Sequence, residues 1–597
     1  DMKKEKRTAA LDGRMEIGFS ALSITLVDVV VFLPILFLQV FVADMLKQFS
    51  VVVVTSTLTS LLVGFTLTPW LASRIGKKED LKPSNFFNRF LLWFERQLQK
   101  FIDWYGKQLA WVLSHKLIFT GIVLLLFVMT AAMLKQGIIG KELISTGDQG
   151  KFRMSLEFDK STAIQQNNFV SEKIETYIIQ QPEVATVFSN IGGPSTGIGS
   201  LGVGAANKTE FTIQLKPANE RKKEPTEAFM KKLREDLKEK FPTINYSMAA
   251  LGLIPRSAPI EITLSGINPD MVMKSGNELK AIIEKIPGAD NVRLSVEEGS
   301  PEYKIVPNKE KMQRFGLTTA YVGLNIRTAY TGNDDASLTE NGTEYPVRIW
   351  LNDFNRKSYE DVQRLTIVNP QGLPVQVAQF ADVVQDNSPS LLERKDRQPA
   401  ITLTADALGR PSGTVADDVV AYLKDNPLPD GMAMTWGSDI KRQNDSFGAL
   451  GSVLMISFLL IYLIMVALYD SFIYPVVVLF SIPVAAIGAF LALNLSLSNL
   501  SLFALLGLIM LMGLVAKNAI LIVDFTNQLK AEGKHFKEAL IIAGKERMRP
   551  ILMTTLAMVF GMLPIALAKG TASEWKNGLA WVIIGGLLSS LILTVYL

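Results

Sequence analysis

The chain has 597 residues, of which 48% are hydrophobic and 20% charged, with a mean hydropathy of +0.24. It therefore holds several domains and mixes very apolar segments with ordinary soluble ones. A net charge of +4 gives no electrostatic footprint for nucleic acid. With no cysteine and only His115 and His535, disulfides, thiol catalysis, cysteine zinc sites and histidine-based chemistry lack material.

The chain opens at Asp1 without an initiator methionine or signal sequence, and stops at Leu597 inside an apolar run. The expectation is a fragment of a longer protein. A membrane helix needs about 20 mostly apolar residues to cross a core of about 30 Å. Eight stretches qualify or nearly so: Ile17–Leu38, Phe49–Leu71, Leu117–Leu134, Phe447–Leu468, Tyr474–Leu493, Leu500–Phe525, Ile551–Ala568 and Gly578–Leu597.

Lysine and arginine gather in three links. One is the opening (Lys3, Lys4, Lys6, Arg7, Arg14); one follows the second stretch (Arg74 to Lys107); the third precedes Ile551 (Lys530 to Arg549). The positive-inside rule puts all three in the cytoplasm and residues from about Lys135 to Asp445 outside. Within the second link, Phe86, Phe87, Phe90, Leu91, Phe94, Leu98 and Phe101 recur at helical spacing among basic residues, which predicts an amphipathic helix on the membrane surface.

The outside region is predicted to be an α/β insert. Strand 151–158, helix 161–181, strands 184–190 and 210–215, helix 225–240 and strand 244–248 give β-α-β-β-α-β, the split βαβ or ferredoxin-like order. A second copy begins with strand 260–265, helix 269–286 and strand 291–297. It resumes with strand 400–404, helix 412–424 and strand 432–436. Between its halves an inserted module carries an exposed arm at Thr331–Thr343. The predicted domains are 1–72 (two spans), 73–116 (basic amphipathic helix), 117–135 (one span), 136–257 (first α/β subdomain), 258–300 with 399–440 (second), 301–398 (insert) and 441–597 (five spans, the last one truncated). The fold class is a polytopic α-helical membrane protein with a large α/β insert of ferredoxin-like subdomains.

Ionisable groups inside a membrane are costly and mark function by default. Asp28 stands in the middle of the first stretch, and Lys517 and Asp524 in the run Gly513 to Phe525. Lys517 and Asp524 are seven residues apart, so they share a helix face at about 10.5 Å and need a third group to pair. Lys517 calls for an acidic partner on another helix. Arg547 and Thr554 share the same seven-residue spacing in the next stretch; an edge arginine is commonly an anchor, and a buried threonine commonly bonds its own backbone.

The blocks Gly513–Phe525 and Arg547–Thr555 resemble the tenth and eleventh spans of the resistance-nodulation-division superfamily, in its hydrophobe/amphiphile efflux branch. Ala467–Phe472 resembles the exit of that family's eighth span, and Phe32-Leu33-Pro34 and Leu67-Thr68-Pro69 resemble landmarks of its fifth and sixth. The resemblance covers essentially the whole chain. It implies a proton relay containing Lys517, Asn518, Arg547 and Thr554, whose acids in that family lie on a fourth span upstream of this chain. Asp28 departs from the family pattern, and the expectation is an extra protonatable group facing the relay, with a local polar contact to a neighbouring helix as the alternative. Asp524, near the cytoplasmic end, is open equally to a solvated role and to a place in the relay. Ile191 to Gly204 matches the position of a flexible switch loop, with Gly192, Gly193, Gly197, Gly199, Gly202 and Gly204 licensing many conformations. Phe188 and Phe211, which flank it, are expected as an apolar pocket wall.

The resemblance further implies a proton-driven export pump for amphiphilic compounds such as drugs. It would be a homotrimer in the inner membrane of a Gram-negative bacterium, working with a periplasmic adaptor protein and an outer-membrane channel, without cofactor or metal. The superfamily's heavy-metal branch is the first alternative, but Met154, Met230, Met248, Met271, Met273, Met312, Met432 and Met434 form no obvious triad. A non-transporting receptor or assembly factor has no use for a buried Lys517. An external hydrolase finds no Ser/His or paired-carboxylate constellation, since Glu297-Glu298 and Asp334-Asp335 are sequence neighbours on loops.

Overall fold

The computed structural model describes residues 6–40, 42–75, 86–144, 148–159, 162–193, 206–217, 220–221, 225–242, 244–251, 258–296, 301–387, 392–568, 574–594 and 596. Helix α1 (Lys6–Phe32) ends just before Pro34, which opens a short 3₁₀ turn. Helix α2 (Ala43–Phe65) breaks at Thr66 and resumes as α3 (Leu67–Ile75). Pro69 lacks the N–H that Phe65 would need, so the break falls where the helical bond is lost. Helix α4 (Phe86–Ser114) is the amphipathic element and α5 (Lys116–Lys135) the next apolar one.

The insert follows. Strand β1 (Lys151–Glu157), α6 (Ile164–Ile179), β2 (Val184–Ile191), β3 (Lys208–Leu215), α7 (Thr226–Lys240) and β4 (Asn245–Ala250) form an antiparallel sheet in the order β2-β3-β1-β4. Strand β1 alternates exposed and buried residues, so Phe152, Met154 and Leu156 face the helices and fill one core. The same order recurs downstream. Strand β5 (Ile260–Gly266), α8 (Pro269–Ile283) and β6 (Ala289–Leu294) supply the first half.

Between the halves sits a module with its own core: β7 (Pro301–Pro307), α9 (Lys309–Arg314), α10 (Thr319–Tyr330), β8 (Asn333–Glu340), β9 (Thr343–Ile349), α11 (Tyr359–Arg364), β10 (Thr366–Val368), β11 (Pro374–Gln376), α12 (Val377–Phe380) and β12 (Ala381–Asn387). The arm is longer than expected. Strands β8 and β9 pair as a ribbon through Ile349, turning at Asn341-Gly342, both at positive φ as a two-residue hairpin requires. Strand β13 (Glu393–Lys395) leads into β14 (Gln398–Ala407), α13 (Ser412–Asp425) and β15 (Met432–Trp436). Pairing β6-β14-β5-β15 repeats the first sheet's order.

The remaining helices are α14 (Ser438–Tyr469), α15 (Ile473–Leu479), α16 (Ser481–Leu495), α17 (Leu502–Ala531), α18 (Phe536–Ala566) and α19 (Asn577–Ser589). Among the described residues, seven helical stretches are long and apolar enough to cross a membrane, and Asn577–Leu593 is a shorter apolar one. The last stretch, expected as a truncated span over 578–597, is a short helix that passes into a π turn at Ser590–Thr594. The start expected at Ile551 is corrected: α18 begins at Phe536 and runs through Pro550 and Pro564. Its early charges are taken up by α4, through Lys545–Asp103 and Arg549–Glu95, both at 3.0 Å.

Helix α17 is the centre of the bundle. It is buried along most of its length and packs on α1, α14, α16, α18 and α19. Helix α4 uses one face, with Ile102, Tyr105 and Leu109, to pack on Met548 of α18. On another face Phe90, Trp93, Phe94, Trp104 and Trp111 stand exposed, as an element resting on lipid would present them.

Candidate functional site

Helix α17 places Gly513 and Lys517 one turn apart on one face. Helix α1 crosses it there. The Asp28 Oδ1 lies 2.7 Å from where a β-carbon on Gly513 would stand, so the missing side chain is what admits the carboxylate. The Asp28 carboxylate and the Lys517 ammonium are close enough to feel each other's charge. Helical side chains lean toward their own N-terminus, which tilts Lys517 over Gly513 and hence toward Asp28. A carboxylate on a neighbouring helix thus lies within electrostatic reach of Lys517. Ser457 of α14 donates to the Val31 carbonyl at 2.9 Å and fixes α1 just beyond Asp28.

Asp524 sits two turns further along the same face of α17. Ser20 of α1 donates to its Oδ2 at 2.5 Å, and Gln528 donates to the same oxygen at 3.2 Å. Tyr469 of α14 donates to the Ile520 carbonyl at 3.4 Å and meets Phe19 edge-on at 6.4 Å between centroids. Ser20 and Tyr469 have no motif that flags them. Their only signal is a hydroxyl at a helical position facing an acid once the helices are assembled.

Asn518 is buried beside Lys517, and both its polar side-chain atoms find no hydrogen-bond partner among the described residues; the same holds for Thr555 Oγ1 and Arg547 Nε. Arg547 stacks its guanidinium over the Phe525 ring at 4.4 Å. Thr554 donates to the Ile551 carbonyl of its own helix at 3.2 Å. The structure thus brings Asp28 to Gly513, one turn from Lys517, and Arg547 to the Asp524 end. Thr554 is turned to its own backbone.

Gly192 and Gly193 open the glycine-rich segment. Gly192 takes a φ of +65° against Ile164, while Gly197, Gly199, Gly202 and Gly204 lie outside the described residues. The expected apolar wall of Phe188 and Phe211 is corrected. Strand alternation sends them to opposite faces: Phe211 is fully buried in the sheet core and Phe188 is 66% exposed. Met154, Met230 and Met248 likewise fill that core.

The whole chain, residues 1–597, matches the model of the AcrB/AcrD/AcrF family. The chain belongs to that family. It is 28% identical to the multidrug resistance protein MdtC of Photorhabdus laumondii over 610 residues, covering 98% of this chain and 56% of that protein. It is 27% identical over 603 residues to MdtC of Pectobacterium carotovorum and 26% over 599 to MdtC of Klebsiella pneumoniae, with the same coverage. The chain thus spans about half the length of the curated relatives it matches. Membership bears out the superfamily resemblance drawn from the Lys517 and Arg547 blocks.

Proposed function

We propose that this chain is part of a proton-motive-force-driven efflux transporter that exports hydrophobic or amphiphilic compounds, drugs among them, by substrate/proton antiport. In this reading the transporter is a homotrimer in the inner membrane of a Gram-negative bacterium, joined by a periplasmic adaptor and an outer-membrane channel. The two sheets are ferredoxin-like porter subdomains in the periplasm, and the inserted module is a docking part. The Gly192–Gly204 segment is the switch loop.

The single observation that carries the reading is the Asp28 carboxylate of α1 lodged against Gly513 of α17, one helical turn from Lys517. A lysine held in an apolar bundle is tolerated because a carboxylate neutralises it. A proton arriving on Asp28 cancels that charge, leaves Lys517 without its partner and favours a different packing of α1 on α17. Proton binding and helix position are then linked as ligand and conformation are in any two-state protein. Asn518, Arg547 and Thr554 complete the relay, with Asp524 at its far end.

The test is Lys517→Ala in the complete transporter, reading efflux of a fluorescent amphiphile from energised cells with the amount of pump in the membrane held equal. Loss of efflux is the expected result; efflux at the wild-type rate would sink the proposal.

A further inference from the structure

Two contacts tie α1 to α17: the Asp28 carboxylate against Gly513, one turn from Lys517, and the Ser20–Asp524 hydrogen bond of 2.5 Å. From Ser20 to Asp28 is eight residues on α1, about 12 Å, and from Gly513 to Asp524 is eleven on the antiparallel α17, about 16.5 Å. The interface of the two helices therefore carries one acid near Lys517 and a second acid toward its other end.

We infer that Asp524 is the carboxylate through which the relay exchanges its proton with the cytoplasm, and that Ser20 is a positioning residue that ties this exchange to the placement of α1. The inference rests on the relay reading above. A proton leaving Asp28 is taken up by the Asp524 carboxylate and then released to water at the end of the bundle. That end carries the basic residues Lys530 at the close of α17, Lys534 in the turn and Lys537 at the start of α18, which the positive-inside rule assigns to the cytoplasm.

The surroundings fit an exchange site. Asp524 is partly exposed, whereas Ser20 is only 4% exposed. The groups around it come from four helices: Ser20 from α1, Tyr469 from α14, Gln528 from α17, and Arg547 over the adjacent Phe525 from α18. Phe19 and Tyr469 close the α14 side with a ring contact. When α1 shifts as the Asp28–Lys517 pair changes, the Ser20 hydroxyl withdraws from Asp524 and frees it to exchange. A purely structural hydrogen bond between helices would look similar in geometry, and the test must separate the two.

The experiment uses the complete transporter and reads efflux against internal pH at fixed external pH, for Asp524→Asn, Asp524→Glu, Ser20→Ala and Lys517→Ala. Asp524→Asn is expected to lower the efflux rate on the order of a hundredfold, the low side of what losing a proton-transfer group costs. Asp524→Glu is expected to restore it, and Ser20→Ala to retain efflux with a shifted internal-pH profile. Wild-type efflux by Asp524→Asn at every internal pH, with Lys517→Ala inactive, would overturn this inference and leave the relay standing. Failure of both Asp524 variants with an unmoved Ser20→Ala profile would assign Asp524 to structure alone, and also overturn it. Normal efflux by Lys517→Ala would remove the relay and this inference together.

Discussion

Asn291 on β6 donates its side-chain amide to the Asp406 carboxylate on β14 over 2.8 Å, and this bond lies on the seam between the two sheet subdomains. Ser247 on β4 of the first subdomain donates to the same carboxylate at 3.1 Å, and Arg234 on α7 pairs with Asp290 on β6. Burial pushes the Asp406 carboxyl up, against the opposing pull of Asn291, Arg293 and Ser247. A carboxyl raised in the folded state adds stability below the usual aspartate range, and that stability is lost as pH rises through the raised value. Asp406→Asn keeps an acceptor and carries no charge. Its thermal unfolding is expected to depend less on pH than the parent's, with a gain on the order of 1 kcal/mol at neutral pH. Pulse-labelled hydrogen exchange on β6 and β14 checks this, and an unchanged pH profile would contradict it.

The first subdomain carries the opposite sign. Burial would raise the Asp148 carboxyl, but the Thr226 hydroxyl, the Gly150 and Thr226 amides and Arg221 together hold it below its usual value. The stability it adds is present above the normal aspartate range and is lost as pH falls through the lowered value. Arg221 is 2% exposed at its side chain, so Asp148→Ala strands a buried guanidinium at a cost of about 3 kcal/mol. Acidification is expected to loosen residues around β1 and α7 before those around β6 and β14. Exchange rates of the two sheets followed down a pH series would show the order.

Much of this was legible because lipid and pleat impose simple periods. Apolar runs located every membrane-length helix, and alternation placed the strands of both sheets to within a few residues, including the split of the second sheet by its insert. The start of α18 was not legible, since Lys545, Arg549 and Pro550 look like a link until α4 supplies Asp103 and Glu95. Asp28 announced itself as a charge in an apolar run. Ser20 did not: Ser23 and Thr25 nearby bond their own backbone, at 2.9 and 2.8 Å, as hydroxyls in such helices commonly do. Only the α1–α17 register singles it out. The Phe188 and Phe211 pairing failed because position beside a loop says nothing about which face of a strand a ring takes.

If the Asp28 carboxylate needs the gap at Gly513, filling the gap should act through Asp28 alone. Gly513→Ala puts a methyl group 2.7 Å from Asp28 Oδ1 and displaces it from Lys517. Efflux by the complete transporter is expected to fall. In an Asp28→Ala background, where the carboxylate is gone, Gly513→Ala should add no further loss. A double-mutant cycle reads this directly, because neighbours that share one contact are non-additive. Additive losses would separate Gly513 from Asp28.

A close helix contact between α16 and α19 makes a prediction of stability independent of transport. Helices α16 and α19 meet backbone to backbone: a β-carbon on Gly488 would lie 2.1 Å from Ser589 Cβ and 2.3 Å from the Gly585 carbonyl oxygen. One on Gly585 would lie 2.3 Å from Ala492 Cβ and 2.4 Å from the Gly488 carbonyl oxygen. Small residues let helices approach this closely, and the Ser589 hydroxyl uses the proximity to donate to the Val484 carbonyl at 2.7 Å. Gly488→Ala must push the helices apart, at a cost of about 1–3 kcal/mol for overpacking. Adding Ser589→Gly removes one of the two clashes but leaves the carbonyl, so rescue should be partial. Gly451 on α14 and Gly561 on α18 meet nothing within 4 Å and serve as controls. Their alanine variants should match the parent in thermal aggregation from detergent, while Gly488→Ala aggregates at a lower temperature. Equal midpoints for all three would mean that α16 and α19 do not meet as closely as described.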